Sequence, residues 1–224
     1  MMRKSGYFWM FIFLLGCTHM RKKKPPTENG NFLEYSVSGT EDDENVHCRF
    51  RFLKGGPEGN AAPLPPNARL TLDGMALQAD SAGLSGVFYE ADRPLDSFRG
   101  KHAIVFTDAD HHNFRDEFVF SSFELDDLDS AVARHPFLIQ LKNFDSRYAR
   151  VHLVMVDTSF RTNDVNEIMN ISNGMVPVTG SMLSRLKNGP IDLEIYRVEE
   201  HGLKKANGKL TISYGLQRQF ELTE

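Results

Sequence analysis

Asp108-Ala109-Asp110-His111-His112-Asn113-Phe114-Arg115-Asp116-Glu117 gathers four carboxylates and two imidazoles in ten residues. Oxygen ligands of this kind suit calcium, and imidazole nitrogens suit zinc. Asp108, Asp110, His111 and His112 are therefore the candidate metal ligands of the chain. An EF-hand loop places oxygens at alternate early positions, a glycine at its middle and a glutamate at its close. Here Asn113 falls late and the glycine is absent. Neighbouring histidines in a strand point to opposite faces, so only a turn could bring both to one ion. A polar hairpin tip, in which Asp and Asn bond their own backbone, is the competing reading.

Other spacings with possible chemistry are weaker. Ser184-Arg185-Leu186-Lys187 has the serine–lysine spacing of penicillin-binding enzymes, but no Ser-Asp-Asn or Lys-Thr-Gly accompanies it. The segment from Gly202 to Gly208-Lys209 misses the phosphate-loop pattern by one residue. Leu210 also stands where Ser or Thr must meet magnesium. Asn207-Gly208 reads better as a hairpin turn. There is no His-Glu-x-x-His and no Gly-x-Ser-x-Gly. No catalytic residue, cofactor or resident metal is assigned on this reading. Cys48 shares a period-two face with Val46, Phe50 and Phe52, which marks a buried structural thiol. A glycan platform would need exposed aromatics, for which Tyr89 and Tyr148 are the candidates.

These residues must be carried by strands, because apolar alternation dominates the chain. Strands are expected at 32–37, 46–53, 69–72, 75–78, 86–90, 102–107, 114–120, 136–141, 151–157 and 176–179, then through 191–196 and 210–222. Asp73-Gly74 signals a tight hairpin. Prolines at 57, 63, 65 and 66 mark a loop. One helical turn is expected near Asp164 to Met169. A short helix is expected over 181–188, with Ser181 as its cap and Gly189 as its stop. Short strands between turn signals predict an all-β protein: two tandem antiparallel β-sandwich, immunoglobulin-like domains with one short helix, with one larger sandwich carrying a long excursion as the rival. The expected boundaries are 32–129 and 130–224. The cysteine–tryptophan–cysteine core of antibody domains is missing, since Trp9 is the sole tryptophan.

Residues 32 to 224 hold 20 Lys plus Arg against 29 Asp plus Glu, a net charge of about −9. Such a body repels nucleic acid, so no nucleic-acid partner is expected. The N-terminus differs. Two cations stand within Met1 to Lys4, an apolar run follows from Tyr7 to Leu15, and Gly16 precedes Cys17. The apolar run is about half the roughly twenty residues a spanning helix needs. These are the parts of a secretory signal.

Leu14-Leu15-Gly16-Cys17 resembles the lipobox of a bacterial lipoprotein signal peptide. The resemblance implies a signal over 1–16 and lipid attachment at Cys17, with residues 17–31 as a basic, proline-containing tether. Thr18 is not Asp, which by the same resemblance favours the outer membrane. Arg21-Lys22-Lys23-Lys24 would attract anionic head groups. Lipoproteins of gliding and gut bacteria that reach the cell exterior carry an acidic run there, so the basic run argues for the periplasmic face. In texture the whole chain resembles the strand-rich lipoproteins common in Bacteroidota-type genomes, and that likeness carries over no functional residue. The expected role is a lipid-anchored, non-catalytic binding or scaffold protein of the cell envelope. Its partners would be the membrane, through the lipid, and an envelope protein. A metal-dependent envelope enzyme using 108–117 and a carbohydrate-binding module are the alternatives.

Overall fold

Alternating burial is what builds this molecule. In the computed structural model, which describes residues 30–82, 86–144, 150–157 and 164–224, most of the longer strands hide every second side chain. The strands are, in order, β1 (Phe32–Thr40), β2 (Asn45–Lys54), β3 (Asn60–Ala61), β4 (Arg69–Leu72), β5 (Met75–Ala76) and β6 (Gln78–Ala82). They continue with β7 (Gly86–Pro94), β8 (Gly100–Thr107), β9 (Asn113–Phe120), β10 (Glu124–Leu125), β11 (Ala131–Ala133) and β12 (Phe137–Lys142). The last are β13 (Arg150–Asp157), β14 (Val165–Asn170), β15 (Met175–Val178), β16 (Gly189–Gly202) and β17 (Gly208–Thr223). Among the described residues one α-helix, α1 (Gly180–Leu183), precedes β16, and a 3-10 turn (Leu95–Ser97) follows β7.

Ten of the strands form one sheet, in the order β14-β13-β16-β17-β1-β2-β7-β6, with β11 added to β17 and β3 to β2. Two smaller sheets, β5-β4-β8-β9 and β10-β12-β15, lie against its inner face. The ring of Phe120 on β9 sits over Gly39 of β1, 3.6 Å from where a Cβ would stand, and meets Tyr214 of β17 edge-on at 6.1 Å. Phe137 of β12 meets Phe220 of β17 at 6.2 Å. The fold class is thus an all-β sandwich, as the alternation predicts. Buried side chains from all three sheets form one contiguous apolar cluster. Burying each such large side chain stabilises the fold by roughly 1.5–3 kcal/mol before entropy is counted.

Several details differ from expectation. The pairing is not purely antiparallel, because β1 and β11 join β17 in parallel. Pairing also crosses the 129/130 point of the expected division: β1 lies beside β17, and β10 beside β12. Residues 165–170 are strand rather than a helical turn, since all six pair with β13 and Val165 is fully buried. The helix begins earlier than expected. Thr179, not Ser181, is its cap, accepting from the Met182 N–H at 3.3 Å. It also stops sooner, at Leu183, where the Arg134 guanidinium takes the carbonyls of Leu183 and Leu186 and the Asn188 amide oxygen. A cation on those last carbonyls satisfies acceptors that no further turn would reach.

Turn chemistry follows the sequence at one hairpin and departs at another. Asp73 and Gly74 both have positive φ, 50° and 81°, as a primed turn requires. Asn207-Gly208 is not a two-residue turn. Gly208 opens β17, and a Cβ on it would stand 2.2 Å from the Leu33 carbonyl oxygen. The glycine is there so that β1 can approach.

Candidate functional site

The β8–β9 tip draws Asp108, Asp110 and His112 together, with one ligand-type atom of each within 4.8 Å of the others. His111 is not in that group. It takes the left-handed position of the turn, at φ 65°. The same geometry shows what holds the cluster. Asp108 Oδ1 accepts the Asp110 and His112 N–H groups at 2.9 Å each, and Oδ2 lies 3.1 Å from His112 Nδ1. Partial burial pushes the Asp108 carboxyl up, but the His112 and Asp110 hydrogen bonds and the His112 charge outweigh it and hold the carboxyl below its ordinary range. The carboxylate already serves as the organiser of its own turn. The rest of the segment disperses by strand alternation. Asp116 is buried and accepts the Lys204 N–H at 2.9 Å, whereas Glu117 is exposed and pairs with Arg115.

The remaining sequence candidates have structural partners. Cys48 is buried on the inner face of β2, and burial pushes its thiol up to about 12. Ser184 Oγ donates to the Ser181 carbonyl, and the Lys187 N–H donates to Asp157 Oδ2; both residues lie beyond the helix, so they share no helical face. His102 is sandwiched in the core edge, its Nδ1 2.8 Å from Asp73 Oδ2, its Nε2 2.9 Å from the Phe98 carbonyl and its ring stacked on Phe98. Tyr89 is not an exposed platform, as it is buried with its hydroxyl accepting the Leu64 N–H. Cys17 and Tyr148 lie outside the described residues.

A cleft of about 540 Å³ lies between the edge of β9 and the β16–β17 connection. Its acids are already engaged: Asp116 with the loop, Glu117 with Arg115 and Glu200 with Lys209. A different place on the molecule combines an aromatic ring with less committed acids. On the outer face of the large sheet, register sets Thr40, Gly215, Tyr196 and His152 side by side across β1, β17, β16 and β13. A Cβ on Gly215 would stand 3.4 Å from Tyr196 Cδ1, so the ring leans onto the bare backbone of β17. Aromatic cover of a strand glycine is a recognised stabiliser of sheets. His152 meets the ring edge-on at 5.0 Å.

Two hollows of about 190 and 220 Å³ flank this ring and share Thr40, Tyr196 and Gly215. The Tyr196 hydroxyl donates to Glu194 Oε2 at 2.9 Å, and Gln217 Nε2 donates to Glu194 Oε1 at 2.9 Å. Burial, then the hydrogen bond to Glu194 and its charge, push the Tyr196 phenol above its ordinary value. Val198 stands beside it, 57 % exposed. No local spacing announces this group; the alternation of residues 191–196 is its only sequence signal.

Below the same strand lies a buried ion pair. Arg197 is 1 % exposed and meets Glu199 at 2.9 Å, while its other nitrogens reach the Ser121 hydroxyl and carbonyl at 3.1 and 2.7 Å. It ties β16 to the segment between β9 and β10, beneath the Tyr196 hollow.

No family model matches the chain, and no curated protein matches it. Among solved structures, it is similar to a tetra-tandem repeat in the extending region of a large adhesion protein. That match has 13 % identity and a TM-score of 0.28, over 85 % of this chain and 49 % of that one. The chain thus spans about half the length of that repeat structure. It is also similar to DIP-gamma IG1+IG2 (8 % identity, TM-score 0.24, 86 % of this chain and 95 % of that one). Dpr11 IG1 bound to DIP-gamma IG+IG2 matches at 7 % identity and a TM-score of 0.23, over 86 % and 96 % of the two chains. Likeness at these levels carries no function across.

Proposed function

We propose that the chain is a lipid-anchored, non-catalytic binding or scaffold protein of the cell envelope, tethered at the outer membrane on its periplasmic side, with a protein as partner. The observation that carries the reading is the outer face of the ten-stranded sheet. Its solvent side bears the Tyr196 hollows and the exposed Ile168 and Val198 side chains, 59 % and 57 % exposed. Exposed apolar and aromatic groups rimmed by polar ones suit an interaction surface.

The anchor follows from Cys17 and the residues before it. Thirteen residues separate Cys17 from Asn31, and the fourteen steps allow a reach of up to about 50 Å at roughly 3.3–3.6 Å per residue. β1 is an interior strand of the sheet, so the tether would enter the body through a strand hydrogen-bonded on both sides. Tethering raises the effective concentration of the body for any partner on the same surface.

Mass spectrometry of the mature N-terminus and fractionation of membranes test the anchor. The expected result is a lipid-modified Cys17 and a membrane-bound protein that Cys17→Ala releases; an intact Met1 in native material would falsify it. Cross-linking in intact membranes tests the partner, and a body that cross-links to no protein removes that half of the reading.

The convergence of Asp108, Asp110 and His112 favours a second reading, a metal-dependent role at the tip. Titration of the protein with zinc and with calcium checks it. A stoichiometric site lost in His112→Ala supports it, and the absence of such a site removes it.

A further inference from the structure

We infer that the hollow around Tyr196 receives a lysine or arginine side chain presented by a basic segment of the protein partner. The inference rests on the binding-protein reading above and names that partner's chemistry. Its first support is charge. Apart from the phenols of Tyr196 and Tyr214, every ionisable side chain among the described residues lining the two hollows is a carboxylate: Asp42, Asp43 and Glu194. Among the described residues, no lysine, arginine or histidine lines either hollow. Glu194 takes its two hydrogen bonds from neutral donors, the Tyr196 hydroxyl and the Gln217 amide. Asp43 caps the Thr40 N–H, and the nearby Arg218 is committed to Glu41 at 2.6 Å. Arg218 lies outside the lining and feels the charge of Asp42 as well as Glu41, which leaves Glu194, at the ring, with no described cation in the lining.

The second support lies on the same face of the sheet. On β2 and β7 the Arg49 guanidinium sits over the Phe88 ring, 4.5 Å from its centroid, with Glu90 3.6 Å away. That arrangement of ring, carboxylate and arginine is complete within the chain. Around Tyr196 the ring and the carboxylates recur, and no arginine among the described residues lines the hollows. A cation over an aromatic face, met by a carboxylate, is attracted by the ring quadrupole and by charge-assisted hydrogen bonds together. Size agrees as well. Hollows of about 190 and 220 Å³ fall below the roughly 300–1,000 Å³ of small-molecule pockets and suit single side chains. Gly215 keeps the space open, because any side chain there would stand against the ring.

The full-length protein in detergent is titrated with an acetylated hexa-arginine peptide, with a glycine–serine hexapeptide and with a neutral glucose hexamer. Tyr196→Leu and Glu194→Gln are compared with Glu58→Gln, which removes one negative charge from the exposed loop after β2, at the end of the sheet away from Thr40. Thermal melts confirm that each variant is folded, and Glu194→Gln keeps the test open should Tyr196→Leu fail to fold. The expected result is hexa-arginine binding that weakens about five-fold or more in both hollow variants and less than about two-fold in Glu58→Gln, with no binding of the neutral peptide. Equal weakening in all three variants would mean diffuse charge attraction and overturn the inference. So would unchanged binding in the hollow variants, no hexa-arginine binding at all, or binding of the glucose hexamer that Tyr196→Leu abolishes. A partner cross-linked in membranes without hexa-arginine binding would sink this inference alone. Absence of any protein partner would sink the wider reading, whatever the peptide does.

Discussion

The β8–β9 tip and the Tyr196 hollow are both small acidic places with a ring nearby, and they are built in opposite ways. The tip takes Asp108, Asp110 and His112 from five consecutive residues, and the turn itself consumes both Asp108 oxygens. The hollow takes Thr40, Asp42, Glu194, Tyr196 and Gly215 from three strands and a turn that lie far apart in the chain. A cluster that is local in sequence tends to be spent on local structure, because the nearest unpaired groups are its own backbone amides. A cluster made by register has its backbone already satisfied in the ladder, which leaves its side chains for something else.

The contrast can be broken most strongly from underneath. Arg197→Ala removes the cation that ties β16 to Ser121 and leaves Glu199, 9 % exposed, without it. Breaking a buried pair from one side costs about 3–5 kcal/mol. The expected result is a melting temperature lowered by several degrees or more, with the β8–β9 tip spectroscopically unchanged until the global transition. Gly215→Val acts on the hollow directly. Overfilling costs about 1–3 kcal/mol, offset in part by the better strand former. The displaced Tyr196 phenol should leave Glu194 and titrate closer to its ordinary value, as read by ultraviolet titration.

A smaller effect is expected at the tip. Asp108→Asn weakens the turn by about 1 kcal/mol, the scale of a lost side-chain cap. Its pH dependence has a definite sign. The folded carboxyl titrates below its unfolded value of roughly 3.9, so the stabilisation is complete above that value and disappears as pH falls through the folded one. Comparing acid unfolding of the wild type with Asp108→Asn should show that slope in the wild type only. The least perturbing probe is Cys48. Burial and a thiol pushed up to about 12 predict no alkylation of the folded protein at pH 8 and rapid alkylation in urea. Labelling of the native state would mean that the inner face of β2 opens.

Much of the fold was legible in the sequence. Period-two runs such as Val46 to Phe52 and Val151 to Asp157 put one face of each strand inside, and no helical register could do so. Asp73-Gly74 specified its turn because both positions need positive φ. The 165–170 segment was harder, since Glu167 and Asn170 interrupt any apolar stripe and only pairing with β13 makes it a strand. Gly208 looked like turn chemistry and is in fact clearance for another strand.

By itself the sequence determined the all-β class, the buried thiol at Cys48, the Asp108 turn and the expectation of a lipid at Cys17, because each depends on residues adjacent in the chain. Only the tertiary structure decided that β1 runs parallel to β17, that Arg197 reaches Ser121, and that Tyr196 leans over Gly215 among carboxylates. Those depend on strand order and register, which are set by closing one core from residues more than a hundred positions apart, and no local pattern encodes which strands will meet.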